Sequence, residues 1–157
     1  MPNPDRVIDD IDARILRALV VDPRATVVAL ADATRLARNT VHARLARMET
    51  RGVLQSLERR IDPAALGYPL TAFIMVTVTQ RKLRAIGDAL ERVPEVLEVH
   101  GLSGVTDLLV HIVARDADDL YRIAGQILDI DGVEKTTTGL VMRRLVDYRV
   151  APLLAGR

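Results

Sequence analysis

The first fifty residues carry apolar positions at the three- and four-residue spacing of helices. This spacing predicts an amphipathic helix over about 9–21 and a shorter helix over about 27–33, which the Thr26 hydroxyl would cap. A third helix is predicted over about 37–51. Its buried side would carry Val41, Leu45 and Met48. A short helix, a tight turn and a further helix form the pattern of a helix-turn-helix.

Beyond about residue 70 the pattern changes to short apolar runs and two helical segments, separated by turn residues. The predicted elements are strand, helix, strand, strand, helix and strand, over residues 72–78, 82–92, 96–102, 108–114, 117–128 and 133–144. This βαββαβ order is the split βαβ arrangement of a ferredoxin-like domain, with helices on one face of an antiparallel sheet. Strands 72–78 and 108–113 are apolar at successive positions, which indicates that both of their faces are buried. Because a partner sheet would cover the second face, we expect a dimer.

The two patterns meet between residues 53 and 70. Residues 53–61 alternate weakly between apolar and polar, which favours a short extended wing after the third helix. Asp62-Pro63 and Gly67-Tyr68-Pro69 then break the pattern and indicate a linker. We therefore predict an α+β protein with a winged helix-turn-helix domain over 1–61, a linker over 62–70 and a second domain over 71–157.

The two predicted domains differ in charge. The whole chain has a formal charge of +1, but residues 1–60 sum to +3 and residues 61–157 to −2. Residues 35–60 contain seven arginines against two glutamates. A nucleic-acid surface needs such local positive charge. The alternative is an ordinary solvated helix face in a chain whose cations are nearly all arginine.

Composition excludes several other classes of protein. The chain has no cysteine, so disulfides, thiolate metal sites and a cysteine nucleophile are ruled out. No run approaches the length of a membrane span, and the polar residues 1–10 are unlike a secretory signal, so we expect a cytoplasmic protein. No glycine-rich phosphate loop, nucleophile elbow or metalloprotease motif is present, and we expect neither an enzyme nor a cofactor. His100 and His111 lack a spaced third ligand, which favours packing over a metal site.

Five segments in this order resemble the Lrp/AsnC (leucine-responsive, feast/famine) transcriptional regulators. IDDIDARILRALVVDPRAT is similar to the family's opening helix, and VHARLARMETRGVLQ to its recognition helix and exit. RIDPAALG resembles the linker, SGVTDLLVHI the hairpin of the second domain, and DGVEKTTT the start of the last strand. The resemblance covers nearly the whole chain. It implies a RAM/ACT-like second domain, dimers through the carboxy-terminal sheet, assembly into octamers, and a small effector, usually an amino acid, bound between dimers.

The chain departs from the family pattern around the helix-turn-helix turn. Arg35 stands where the family usually has glycine, and Ala37 where it usually caps the third helix with serine. Asn39 could serve as the cap instead, which would take its amide away from DNA bases. Ala29 stands where a glutamate would complete a capping box with Thr26.

The third helix would supply the DNA contacts. In a major groove only residues near the amino-terminal end of such a helix reach base edges. The candidate base contacts are Arg38, Asn39, Thr40 and His42. Arginine can bond guanine O6 and N7 together and asparagine can pair similarly with adenine, whereas histidine more often meets phosphate or solvent. The candidate phosphate contacts are Arg35, Arg44, Arg47 and Arg51, with Arg59 and Arg60 on the wing.

The hairpin of the second domain is the candidate effector site. Gly101, Ser103 and Gly104 would let backbone N–H groups approach a carboxylate, and Asp107 could accept an ammonium group. An amino acid needs that combination, in keeping with the family's effector class. Thr136 and Thr138 would add hydroxyls from one face of the last strand. The alternative is a plain glycine-rich turn in which Asp107 bonds the backbone.

Together these features predict a sequence-specific, DNA-binding transcriptional regulator that responds to a small effector, an amino acid by resemblance. Its partners would be double-stranded DNA and further copies of itself, in the cytoplasm at the nucleoid. Two alternatives stay open. One is an effector-independent, architectural DNA-binding protein, and the other is a metabolite-binding module whose helical domain makes protein contacts.

Overall fold

The computed structural model describes residues 8–155, which divide into two compact units. A helical unit contains the chain up to Arg60 together with the segment that starts at Val146. A sheet unit spans Ile61–Leu145. The prediction from the sequence put residues 146–157 in the second domain, whereas the structure groups this segment with the helices, because its last turn packs on the first helix. Residues 1–7, on which much of the prediction about a secretory signal depends, lie outside the described residues.

Three helices build the main part of the helical unit: α1 (Asp10–Val21), α2 (Val27–Thr34) and α3 (Arg38–Thr50). Asp9 caps α1 in a reciprocal capping box with Asp12, and Thr26 caps α2 by accepting from the Ala29 amide at 3.2 Å. Apolar side chains on the inner faces are buried, namely Ala13, Ile15, Leu30, Ala31, Val41 and Met48. The helix-turn-helix predicted from the spacing is confirmed.

The turn between α2 and α3 holds a backbone conformation that side chains disfavour. Arg35 ends α2 with φ 53° and ψ 43°, and it is the one non-glycine residue with positive φ among residues 8–155. Ala37 precedes α3 in extended conformation and makes no side-chain cap hydrogen bond. Asn39 lies inside the first turn of α3 and does not cap the helix, so its amide is not taken up by that role.

An Arg35→Gly variant should unfold at a higher urea concentration than the wild type, because glycine adopts positive φ without the steric cost that an L side chain meets. The greater chain entropy of glycine in the unfolded state offsets part of this gain, and we expect a net stabilisation of up to about 1 kcal/mol. Arg35→Ala is the control, since it removes the same charge and keeps the strained backbone. Equal midpoints for the glycine and alanine variants would contradict this account of the turn.

The predicted extended wing is wrong. Residues 53–61 form no strand, and a 3-10 turn spans Leu57–Arg60 instead. The reason lies at the end of α3, where Gly52 adopts φ 68° and the amides of Val53 and Leu54 donate back to the Met48 carbonyl. The chain therefore winds back over the last turn of α3, and the described residues of the helical unit contain no strand with which it could pair.

The sheet unit has the predicted βαββαβ order, which confirms the α+β fold. Its elements are β1 (Leu70–Val78), α4 (Leu83–Glu91), β2 (Val96–Gly101), β3 (Leu108–Ala114), α5 (Ala117–Leu128) and β4 (Val133–Leu140). The antiparallel strands are ordered β2-β3-β1-β4. Strand β4 ends at Leu140, four residues before the predicted end, because its partner β1 begins at Leu70 and the Val141 amide makes the last bond, to Thr71. Part of the predicted linker forms a 3-10 turn, Pro63–Leu66.

Helices α4 and α5 cover one face of this sheet. The core between these helices and the sheet contains Ile74, Val76, Val110, Ile112, Ile86 and Ile123, all fully buried. Alternate residues of the same strands point to the opposite face, where Met75 lies between Leu109 and Thr137 in register and keeps 37% of its surface exposed. On this open face the Phe73 ring stacks on His111 with centroids 4.7 Å apart. None of the helices described between residues 8 and 155 is long and apolar enough to cross a membrane.

Candidate nucleic-acid interface and effector site

The exposed side of α3 brings together three of the four candidate base contacts. Arg38 and Asn39 occupy the first turn and are exposed, and His42 follows one turn after Arg38 on the same side. Thr40 is half-buried and lies one turn before Arg44, so the structure separates it from the other three. This side of α3 carries donors that suit base edges and phosphates.

Two candidate phosphate contacts are engaged by acidic residues of α1. Arg44 bonds the Asp9 carboxylate and lies 3.2 Å from Asp12 Oδ1, and Arg47 Nη2 lies 2.7 Å from Asp12 Oδ2. The side chain of Asp12 is only 4% exposed, so both guanidiniums satisfy a nearly buried carboxylate. The ion-pair cluster of Asp9, Asp12, Arg44 and Arg47 therefore fixes α3 against α1. Nothing local in the sequence marks this pairing, because Asp12 and Arg44 lie 32 positions apart.

The remaining candidate phosphate contacts lie at the two ends of α3 and in the segment that follows it. Arg35 at the turn and Arg51 at the end of the helix are exposed. Arg59 and Arg60 are exposed in the 3-10 turn that replaces the predicted wing. The basic surface of the helical unit therefore lies at both ends of α3 and in this 3-10 turn. At the middle of α3, the acidic first turn of α1 offsets the positive charge.

An Asp9→Asn variant tests the ion-pair cluster through its pH dependence. The hydrogen bond from Arg44, followed by the bond from the Asp12 amide, lowers the pKa of Asp9 from 3.8 to about 2. A carboxyl with a depressed pKa stabilises the folded state above its unfolded pKa and loses that contribution as the pH falls towards the folded value. Wild type should therefore exceed Asp9→Asn in stability at pH 6, by up to about 1 kcal/mol because Asp9 is half exposed. In urea unfolding, this difference in stability should shrink between about pH 4 and 2. A difference that does not depend on pH would contradict the role given to the ion-pair cluster.

The β2–β3 hairpin loop is tied to the end of β1 by Asp107. One carboxylate oxygen of Asp107 accepts from the Val78 amide at 2.8 Å and the other from the side chain of Gln80. Its own amide donates to the Val76 carbonyl, and its carbonyl accepts from Leu102. This agrees with the alternative in which Asp107 bonds the backbone. Gln80 was missed by sequence reasoning, because nothing local marks a partner 27 positions away.

The other candidate effector residues are partly gathered by the fold. Gly101 ends β2, and Ser103 and Gly104 follow in the exposed loop that Asp107 holds, with φ 136° at Gly104. Thr136 pairs with Val76 in the β1–β4 ladder, so it flanks the strand residue that Asp107 bonds from the other side. Thr138 pairs with Ile74, two positions further from the loop. The structure therefore brings the hairpin loop and Thr136 to one end of the sheet.

A second ion-pair cluster lies at the start of α5. Arg122 Nη2 lies 2.6 Å from Glu95 and 2.7 Å from Asp119, and Arg115 donates to Asp119 through its backbone amide and its side chain. Hydrogen bonds from Arg115, then from Arg122, hold the pKa of Asp119 far below its ordinary value. These bonds satisfy two nearly buried carboxylates, which is a structural role. Across residues 8–155, no group of three or more His, Cys, Asp or Glu side chains is arranged so that it could hold a metal ion.

A helix-turn-helix with a basic third helix is the arrangement of a DNA-binding domain, and here it is joined to a ferredoxin-like domain. Family models agree with this class. The AsnC-type helix-turn-helix domain matches residues 8–49, and the Lrp/AsnC ligand binding domain matches residues 71–151. The chain belongs to the Lrp/AsnC family of transcriptional regulators. The prediction of a regulator rather than an enzyme is confirmed, since its relatives are regulators.

Individual relatives share this architecture along most of the chain. The transcriptional regulator AldR of Mycolicibacterium smegmatis is 37% identical over 144 residues, which cover 89% of this chain and 84% of AldR. The structure of E. coli AsnC is 25% identical with a TM-score of 0.81, covering 93% of this chain and 99% of AsnC. The Neisseria meningitidis regulator NMB0573, solved in complex with L-Met, shares the fold with a TM-score of 0.77 at 24% identity, covering 90% and 94%.

Proposed function

We propose that this regulator binds near-palindromic operators as a dimer and that a small amino acid, bound in its second domain, changes its DNA affinity or assembly. The observation that carries the DNA-binding part is the exposed side of α3, where Arg38, Asn39 and His42 lie together at the amino-terminal end of a basic helix. A helix in the major groove contacts bases from that end. Such a regulator acts in the cytoplasm, at the nucleoid.

Within this proposal Arg38 and Asn39 contact bases, while Arg35, Arg51 and Arg59 contact phosphates. Asn39 is suited to pair with adenine because it does not cap α3. Arg44 and Arg47 hold α3 against α1, so we assign them to orienting the helix as well as to any phosphate within reach. Thr40 is half-buried on the side of Arg44, and we give it a supporting role.

The open face of the sheet is the dimer interface in this proposal. Its centre contains Phe73, Met75 and Leu109, which alternate along β1 and β3 with the buried core residues. An uncovered apolar sheet face is unfavourable in water and is matched by the same face of a second copy in a two-fold dimer. Two helical units per dimer then contact two half-sites about one helical turn apart, or a multiple of it. Further assembly of dimers into octamers is part of the same proposal.

The effector is proposed to bind at the hairpin loop that contains Gly101, Ser103 and Gly104. Asp107 fixes this loop to the end of β1, so backbone N–H groups and the Ser103 hydroxyl can be held ready for a carboxylate. Thr136 lies on the neighbouring edge strand at the same end of the sheet, and Thr138 lies further along it. A ligand-binding domain over residues 71–151 supports this assignment of the sensing role.

The proposal is tested by selecting operators from random duplexes and measuring affinity at two salt concentrations, then titrating the twenty amino acids by calorimetry and light scattering. We expect one near-palindromic motif, a steep fall of affinity with salt, and one or a few amino acids that bind and shift the assembly. Strong binding without sequence preference and without any ligand would favour an architectural DNA-binding protein. Absence of DNA binding would leave a metabolite-binding module.

A further inference from the structure

The carboxy-terminal segment forms part of the helical unit. Its short helix α6 (Ala151–Leu154) lies against α1. The side chain of Leu154 is buried, with 8% exposed, whereas its neighbour Leu153 is 74% exposed. Arg17 of α1 donates a hydrogen bond from Nη1 to the Leu154 carbonyl at 2.9 Å. Helix α6 therefore lies against α1 with one buried apolar side chain and with a backbone acceptor for Arg17.

Helix α1 also contacts the recognition helix through the ion-pair cluster. Asp12 lies little more than one turn before Arg17 in the same helix and binds Arg44 and Arg47 of α3. A single rigid helix of 12 residues thus receives α6 at Arg17 and holds α3 at Asp12. We therefore expect a shift of α1 to be transmitted to α3, because these contacts are short and directional.

Among the described residues up to Arg60, six apolar side chains are almost completely buried, namely Ala13, Ile15, Leu30, Ala31, Val41 and Met48. The buried cluster between α2 and α3 contains Leu30, Ala31 and Val41. A unit of this size buries a modest fraction of its surface on folding. One further buried apolar side chain therefore contributes appreciably to its stability. Leu154 supplies such an anchor from outside the predicted DNA-binding domain.

We propose that α6 is a positioning element of the DNA-binding unit: Leu154 and the Arg17–Leu154 hydrogen bond hold α1, and through Asp12 the recognition helix α3, in the orientation that binds operator DNA. The inference rests on the proposed function. It also gives β4, which carries Thr136 and Thr138, a direct covalent path to the DNA-binding unit through residues 141–150, in addition to the connection at Arg60.

The test compares full-length Leu154→Asp with Leu153→Asp, which adds the same charge one residue earlier at an exposed position. Leu154→Ala is a milder variant in case the aspartate disrupts folding, and Leu154→Ile is the conservative rescue. Each is measured for amide exchange in α1 and for affinity to a selected operator and to random DNA, at a temperature where circular dichroism shows every variant folded. We expect Leu154→Asp to exchange faster in α1 and to lose about tenfold in the ratio of operator to random-DNA affinity. Leu153→Asp and Leu154→Ile should resemble wild type, and Leu154→Ala should lie between.

The outcomes separate positioning from simple stabilisation. Faster exchange in α1 with an unchanged affinity ratio would mean that α6 only stabilises the unit, and the inference would be overturned. Unchanged exchange and affinity in Leu154→Asp would overturn it as well, since α6 would then not hold α1. If wild type itself does not distinguish operator from random DNA, the proposed function fails and positioning for DNA fails with it. That result differs from one in which wild type and Leu154→Asp distinguish operator from random DNA equally well, which would overturn only the positioning role of α6.

Discussion

A Met75→Asp variant should be monomeric at micromolar concentrations at which we expect the wild type to be a dimer. Met75 lies in the middle of the open face, with Leu109 opposite on β3 and Thr137 opposite on β4. In the proposed dimer this position is covered by the partner's sheet, and a carboxylate there would lose its hydration without gaining a partner. Burying an unpaired charge costs several kcal/mol, so the dissociation constant should rise by at least about a hundredfold.

The matched control for this variant is Tyr121→Asp, because Tyr121 is 84% exposed on α5, which packs on the opposite face of the sheet. Sedimentation velocity should find the control dimeric and Met75→Asp monomeric, with equal helix and strand content by circular dichroism. A fully dimeric Met75→Asp protein would show that the two-fold contact uses another surface. The monomer should also bind a single half-site no more weakly than wild type does, since α3 is untouched.

Local patterns predicted the elements whose ends are marked by strong signals. Strand β3 and helix α5 have the predicted bounds, because a run that is apolar apart from His111 defines the strand and the Asp116 cap defines the start of the helix. The helices of the helix-turn-helix agree within one or two residues, because Asp9 and Thr26 cap α1 and α2 and Gly52 follows the end of α3. In contrast, the wing failed because the chain after α3 is governed by backbone bonds to Met48, which weak alternation at 53–61 does not encode.

Contacts between distant residues account for what the sequence did not predict. Arg44 and Arg47 look like free cations along α3, and only the folded helical unit shows that Asp12, more than thirty positions earlier, pairs with both. Asp107 likewise looks available for a ligand until Val78 and Gln80 are found on its carboxylate. The attachment of Leu154 to α1 has no local signature either, because four residues carry too little periodicity. Functional assignments that depend on contacts between residues distant in the sequence therefore required the structure.

An Arg38→Ala variant should bind the selected operator at least about thirtyfold more weakly while losing little affinity for random DNA. Arg38 is the first residue of α3, is exposed, and can bond guanine O6 and N7 together. Each such contact is worth about 1–3 kcal/mol of discrimination, and a dimer loses two of them, or at least about 2 kcal/mol. The preference at one base pair of each half-site should relax in a repeated selection.

Arg51→Ala gives the contrasting result that separates base contact from phosphate contact. Arg51 follows the last turn of α3, so its loss should weaken operator and random DNA alike and reduce the slope of log affinity against log salt by about 1 per contact. Arg84→Ala on α4 is the control, because it removes the same charge from the sheet unit. Fluorescence anisotropy at two salt concentrations measures all three variants on both duplexes. If Arg38→Ala weakened operator and random DNA equally, Arg38 would be a phosphate contact, and base recognition would have to come from Asn39 and His42.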